Sequence, residues 1–152
     1  LRDTTRPYSL WINEEKWKVV EKQDSSLDFA DFILESKNTD VQAMVIFNKQ
    51  KIEPAALINN AVQKARKINP DAGLIDKQER IINGSKVLAM RMKVFRQGQP
   101  LDYYNYYYSG NIGTVQVITF TPEEKFDENE TVMLNLLNGL VIYEHLQRRS
   151  MR

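Results

Sequence analysis

The chain has no cysteine, a single histidine, few glycines and prolines, and no excess of charge of either sign. Each shortage removes a class of function. Without cysteine there is no disulfide, no thiol nucleophile and no thiolate metal site. His145 alone is a poor start for a hydrolase triad, and a histidine metal site normally takes more than one nitrogen. Its place beside Glu144, near the end of an apolar-periodic stretch, reads as an ordinary helix-end position. With 21 Lys and Arg against 20 Asp and Glu, the net charge of +1 argues against a nucleic-acid partner, which needs a concentrated basic field. No apolar run approaches the roughly 18 residues that cross a bilayer, so membrane insertion is not expected. No glycine-rich phosphate loop occurs, since Asn83-Gly84 is too short and joins two strands.

What is present is an ordinary globular composition. The 152 residues are 42% hydrophobic and 27% charged. A chain of this length fits one domain and should bury about 68–70% of its unfolded surface. Lys49, Lys51, Lys64, Arg66 and Lys67 make a basic stretch, and Arg148, Arg149 and Arg152 a basic tail. Glu123, Glu124, Asp127, Glu128 and Glu130 make an acidic one. These read as solvated surface and favourable helix-end charge. The chain opens on Leu1 rather than Met, which fits either a removed export signal or a trimmed start.

Two apolar-periodic stretches predict helices. Over Pro54 to Ile68, proline suits the first helical position, and Leu57, Ile58, Ala61, Ala65 and Ile68 recur at helical spacing. From about Glu128 to Gln147, Asp127 is a candidate N-cap with Glu130 at capping-box distance. Val132, Met133, Leu136, Leu137, Leu140 and Val141 form a broad apolar stripe. Between the helices, Asn83-Gly84, Gln97-Gly98 and Ser109-Gly110-Asn111 are turn signals. They divide the segment into strands over Leu74–Ile82, Lys86–Phe95, Leu101–Ser109 and Thr114–Thr121. Connections this short require antiparallel pairing, hence a four-stranded meander. Tyr8–Ile12, Trp17–Val20, Leu27–Glu35 and Val41–Asn48 read as further strands. The expected class is α+β, an antiparallel sheet with a helix packed on each face.

Several of these pieces carry a resemblance. Tyr8-Ser9-Leu10 followed by Trp17-Lys18-Val19 is similar to the opening of the PsbP/Mog1-like superfamily. The tyrosine-rich Tyr104-Asn105-Tyr106-Tyr107, the strand Val115-Gln116-Val117-Ile118 and the closing Leu136-Leu137-Asn138-Gly139-Leu140 resemble its later parts. The resemblance spans most of the chain and implies an α/β/α sandwich. It implies little about activity, because members include photosystem accessory proteins, a nuclear-transport factor and bacterial proteins of unknown role.

Few residues point to chemistry. The pairs Glu14/Glu15 and Glu123/Glu124 sit in expected turns or a helix start, where exposure explains them better than acid–base work. Asn83-Gly84-Ser85 and Asn129-Glu130-Thr131 match glycosylation acceptors, yet a turn and a first helical turn account for both. Trp11 and Trp17 flank Asn13-Glu14-Glu15-Lys16, either lining a ligand groove or anchoring the end of the sheet. Five of the seven tyrosines fall between Tyr103 and Tyr108. In a strand, Tyr104, Tyr106 and Tyr108 share one face and Tyr103, Asn105 and Tyr107 the other. Asn105 marks the second face as the wetter one, so Tyr103, Asn105 and Tyr107, with Trp11 and Trp17, are the candidate partner-binding residues.

These features point to a non-enzymatic binding or accessory module, exported in a bacterium (periplasmic or extracellular), that contacts a protein or envelope component. No metal and no cofactor are expected. The alternative is a small-molecule sensor or carrier domain with a pocket between sheet and helix.

Overall fold

The computed structural model describes residues 6–21 and 29–143. In these residues the order is β1 (Tyr8–Leu10), β2 (Trp17–Val20), β3 (Phe32–Ser36), β4 (Gln42–Asn48), α1 (Pro54–Ile68), β5 (Gly73–Ile82), β6 (Ser85–Arg96), β7 (Gln99–Gly110), β8 (Gly113–Pro122), a 3₁₀ turn at Glu123–Lys125, α2 (Phe126–Leu137) and β9 (Leu140–Ile142). Seven strands form one sheet in the order β2-β3-β4-β8-β7-β6-β5, while β1 pairs with β9.

The meander over β5 to β8 is antiparallel throughout, as the turn chemistry requires. Asn83 and Gly84 both take positive φ, 49° and 81°, and Gln97 and Gly98 repeat the pattern at 52° and 78°. Two successive left-handed residues twist a two-residue loop in the same sense as its strands, which makes a tight hairpin.

Strand alternation then divides the core. Val87, Ala89, Tyr104, Tyr106 and Tyr108 pack with Phe126, Met133, Leu136 and Leu137 of α2. Their neighbours Met90, Met92 and Tyr107 pack with Ile58 and Ala65 of α1. Each helix therefore covers a different face of the sheet, and the expected α/β/α sandwich is the observed one. An ion pair reinforces the α2 side. Arg91 donates to both oxygens of Asp102, from Nε at 3.0 Å and Nη2 at 2.7 Å, and its guanidinium lies 3.5 Å from the Phe126 ring centre. Asp102 is only 2% exposed, and the arginine gives this buried side chain partners for both of its oxygens.

Helix α1 occupies the expected residues, but Ile68 is 72% exposed rather than part of the buried face. It is the last helical residue. The second helix differs more. It starts at Phe126 after the 3₁₀ turn, has Lys125 at its N-cap without a side-chain cap bond, and places Asp127 in its first turn. The expected Asp127–Glu130 capping box is therefore not formed. The helix stops at Leu137, and Leu140, Val141 and Ile142 form β9 instead of a further turn. Two constraints end it. The Asn138 and Gly139 amides close the last turn onto the Leu134 and Leu136 carbonyls, and β1 needs a strand partner: Leu10 pairs with Leu140 and Tyr8 with Ile142, all four buried. Gly139 permits the close passage, because a Cβ there would sit 2.4 Å from the Trp11 carbonyl oxygen.

Among the N-terminal strands, β2 occupies the expected Trp17–Val20, while β1, β3 and β4 differ at their ends. β1 stops at Leu10, and β3 begins at Phe32, just after Asp31, whose amide donates to the Val45 carbonyl at 2.7 Å. The Asp31 carboxylate accepts from Tyr8 Oη at 2.6 Å and Arg6 Nε at 2.9 Å. Glu144, His145 and the basic tail, like the start of the expected Leu27–Glu35 strand, lie outside the described residues.

Urea denaturation checks this arrangement. Leu136→Ala, deep in the α2 core, should lower stability by about 2–5 kcal/mol. Gly139→Ala should also be clearly destabilising, because it forces β9 away from β1, whereas exposed Lys64→Ala should stay within about 0.5 kcal/mol of wild type.

Candidate functional site

The tyrosine strand β7 lies inside the sheet, between β6 and β8. Its two faces divide as alternation demands, but the wetter face is not where Asn105 suggested. Asn105 and Tyr107 are buried, 3% and 2% exposed, beneath α1. The asparagine is there because a buried phenol needs a partner. Asn105 Nδ2 donates to Tyr107 Oη at 3.0 Å, and Asn105 Oδ1 accepts from the Thr119 amide at 3.3 Å. Tyr103 is half-buried and stacks on Phe120 at 4.8 Å between ring centres. Trp17 is 5% exposed and belongs to the α2-side core.

On the α2 face, Tyr106 is fully buried, and its hydroxyl links sheet to helix. It donates to Asn138 Oδ1 at 2.7 Å and accepts from Arg80 Nη1 at 3.0 Å. Asn138 stands at the end of α2, and its carbonyl oxygen accepts from Asn83 Nδ2 at 3.0 Å. The same Asn83 amide donates to the Leu140 carbonyl at 2.8 Å. The β5–β6 hairpin tip is thereby tied to the α2–β9 turn. The Trp11 amide completes the junction by donating to the Gly139 carbonyl at 2.9 Å.

Trp11 is thus held through its backbone at the meeting of three chain segments, yet its side chain is 71% exposed. Downstream, the Lys16 and Trp17 amides donate to the Asn13 carbonyl and the Glu15 amide to Asn13 Oδ1, which fixes the turn between the two tryptophans. Of the five sequence-marked residues, the structure presents Trp11 to solvent and places Trp17, Asn105 and Tyr107 inside. Neither possible glycosylation acceptor is idle: Asn83 holds the junction, and buried Asn129 donates to Thr121 Oγ1 at 2.9 Å.

A cleft between sheet and helix, the feature the alternative reading called for, opens between the start of α1 and the β5–β6 hairpin. It has a volume of about 580 Å³ and is lined by Glu53, Pro54, Glu79, Lys86, Tyr107 and Ser109 among others. Ser109 Oγ is buried there without a hydrogen-bond partner among the described residues.

No protein-family model matches the chain, and no curated protein matches it in sequence. Solved structures do match. The solution structure of the cyanobacterial PsbP, CyanoP, from Synechocystis sp. PCC 6803 superposes with a TM-score of 0.68 at 15% identity, over 94% of this chain and 91% of that one. The chain has a PsbP/Mog1-like fold. Two further structures share it at 12% identity. PA94 of Pseudomonas aeruginosa, a protein of unknown function and putative regulator, matches with a TM-score of 0.54 over 88% of this chain and 96% of its own. LpqN, involved in cell envelope biogenesis of Mycobacterium tuberculosis, matches with a TM-score of 0.52 over 89% and 82%. Among the described residues of this PsbP/Mog1-like sandwich, no helix is long and apolar enough to cross a membrane.

The buried phenols make stability pH-dependent. Burial raises the Tyr103, Tyr106 and Tyr107 hydroxyls above the ordinary tyrosine value, opposed by Arg96, Arg80 and Asn105 respectively. A raised acid holds its proton longer folded than unfolded. The stability it contributes is complete below the unfolded value of about 10 and is lost as pH climbs through the folded value. Urea midpoints should therefore fall steeply above about pH 10, and Tyr107→Phe should blunt that fall.

Proposed function

We propose that this chain is a non-enzymatic binding or accessory module of the bacterial cell envelope, periplasmic or extracellular, that contacts a protein or envelope component through Trp11. The exposure of Trp11 carries the reading. A tryptophan left in water at 71% exposure forgoes a large burial term, and its backbone is already fixed by Gly139 and the Asn13 turn. A rigidly presented aromatic loses little freedom on binding, which is what an interface anchor requires. Of the other four, Trp17 supports this side from the α2-side core, while Tyr103, Asn105 and Tyr107 lie on the α1 face and belong to the scaffold. Likeness to LpqN, involved in cell envelope biogenesis, supports the envelope setting. The buried polar groups around Tyr106 and Tyr107 are engaged in structural hydrogen bonds, which fits a scaffold better than a catalyst.

A photoreactive amino acid placed at position 11 in the host cell should cross-link one partner, and the same group at Lys64 should not. With that partner purified, Trp11→Ala should weaken binding by roughly 30-fold, the effect of an interface anchor, with an unchanged denaturation midpoint. Undiminished affinity in Trp11→Ala would remove Trp11 from the interface.

One observation favours a second reading, a small-molecule sensor or carrier. The cleft beside α1 has the size of a ligand site and an unmatched hydroxyl at Ser109. Under that reading a small polar ligand protects the Ser109 and Val87 amides from hydrogen exchange while leaving Trp11 fluorescence unchanged.

A further inference from the structure

Strand β5 is an edge of the seven-stranded sheet, ten residues long, with β6 on one side and no strand among the described residues on the other. Long edges invite pairing, and charge is the usual protection against it. The charges here have an order. Around Gln78 the strand reads Leu74, Ile75, Asp76, Lys77, Gln78, Glu79, Arg80, Ile81, Ile82. Reversed, it presents apolar to apolar and each charge to its opposite. We infer that β5 pairs antiparallel with β5 of a second copy of this chain, about a two-fold axis through Gln78.

Backbone geometry allows this register. The two-residue turn Asn83-Gly84 closes on the pair Ile82–Ser85, which is hydrogen-bonded, and bonded pairs then alternate along an antiparallel ladder. Arg80, Gln78 and Asp76 therefore spend their amides and carbonyls on β6. Lys77, Glu79 and Ile81 turn theirs outward. A second strand can bond only where two outward residues face each other. With Gln78 opposite Gln78, Lys77 and Glu79 face each other twice and exchange backbone bonds at both places.

The neighbouring registers that satisfy the backbone equally set Lys77 against Lys77 or Glu79 against Glu79 at the centre. Like charges directly opposite destabilise a strand pair, so side chains select among registers the backbone leaves equal. Lys77 and Glu79 are both exposed and point to the α1 side, as does Ile81, 77% exposed at the end of the run. Asp76 and Arg80 share the α2 side, where Arg80 is drawn inward to Tyr106 and so adds longer-range attraction. Glu79 already has Lys86 at 3.2 Å, but both remain about two-thirds exposed, which leaves the carboxylate open to a second cation. The irregularity between Leu74 and Asp76 ends the regular edge on that side and limits the length that can pair.

Sedimentation and cross-linking test the register together. The wild-type chain should show a concentration-dependent dimer. Lys77→Glu alone and Glu79→Lys alone should each weaken it by roughly tenfold or more, because two attractive pairs become two repulsive ones. Mixed in equal amounts, these variants should form a heterodimer at wild-type strength, since every facing pair is again opposite in charge. The recovery also shows that neither variant was misfolded. Because the chain has no cysteine, Gln78→Cys supplies a single thiol at the axis, and mild oxidation should yield a covalent dimer where Lys64→Cys does not. A wild-type chain that stays monomeric at millimolar concentration, a mixture no more associated than its components, or equal cross-linking at positions 78 and 64 would each overturn the inference.

Discussion

A phenol removed from water must give its hydroxyl a partner, and this requirement organises much of the molecule. β7 carries five tyrosines within six positions, and the sheet covers it on both sides. Tyr107 is satisfied within its own strand by Asn105, which in turn takes the Thr119 amide from β8. Tyr106 has no such neighbour and reaches out to Asn138 at the end of α2 and to Arg80 on β5. Its hydrogen bonds therefore set where the helix ends relative to the sheet. Asn138 and Leu140 then receive Asn83 from the hairpin tip, so one buried hydroxyl anchors a chain of contacts that finishes at the solvent-exposed Trp11.

What could be read from the sequence follows from how local each cause is. Asn83-Gly84 and Gln97-Gly98 act within four residues, and the meander they predict is the meander observed. Pro54 at the first helical position marks α1 for the same reason. The end of α2 has a cause that is not local. Leu140, Val141 and Ile142 prolong an apolar stripe that reads as helix, and what converts them to strand is β1, supplied by the opposite end of the chain. The Asn138-Gly139 pair was the available signal, outweighed by the apolar run that follows it.

The site shows the same division. Alternation assigns the β7 side chains correctly to two faces, but polarity alone misjudges which face is wet, because an asparagine surrounded by tyrosines is also what a buried phenol requires. Trp11 lies between apolar Leu10 and Ile12 and Trp17 between Lys16 and Lys18, yet it is Trp11 that is exposed, 71% against 5%. The difference arises at the Asn13 turn. It reverses the chain between them, sends Trp17 into the α2-side core at the start of β2, and leaves Trp11 at the junction with Gly139.

The two proposed surfaces are joined through β5. Its last residues lead into the hairpin tip at Asn83, and Asn83 holds the turn on which Trp11 rests. From an axis at Gln78 to Asn83 is about five strand steps of roughly 3.4 Å, or about 17 Å. Antiparallel pairing would send the two tips in opposite directions, setting the two Asn83 turns at opposite ends of the shared ladder, some 35 Å apart. A single anchoring tryptophan gives a weak contact, and two held at fixed separation on one continuous sheet give avidity toward any partner that repeats at that spacing. The charge order of β5 would then do more than prevent misassembly. By selecting one register it also sets the distance between the two aromatic contacts.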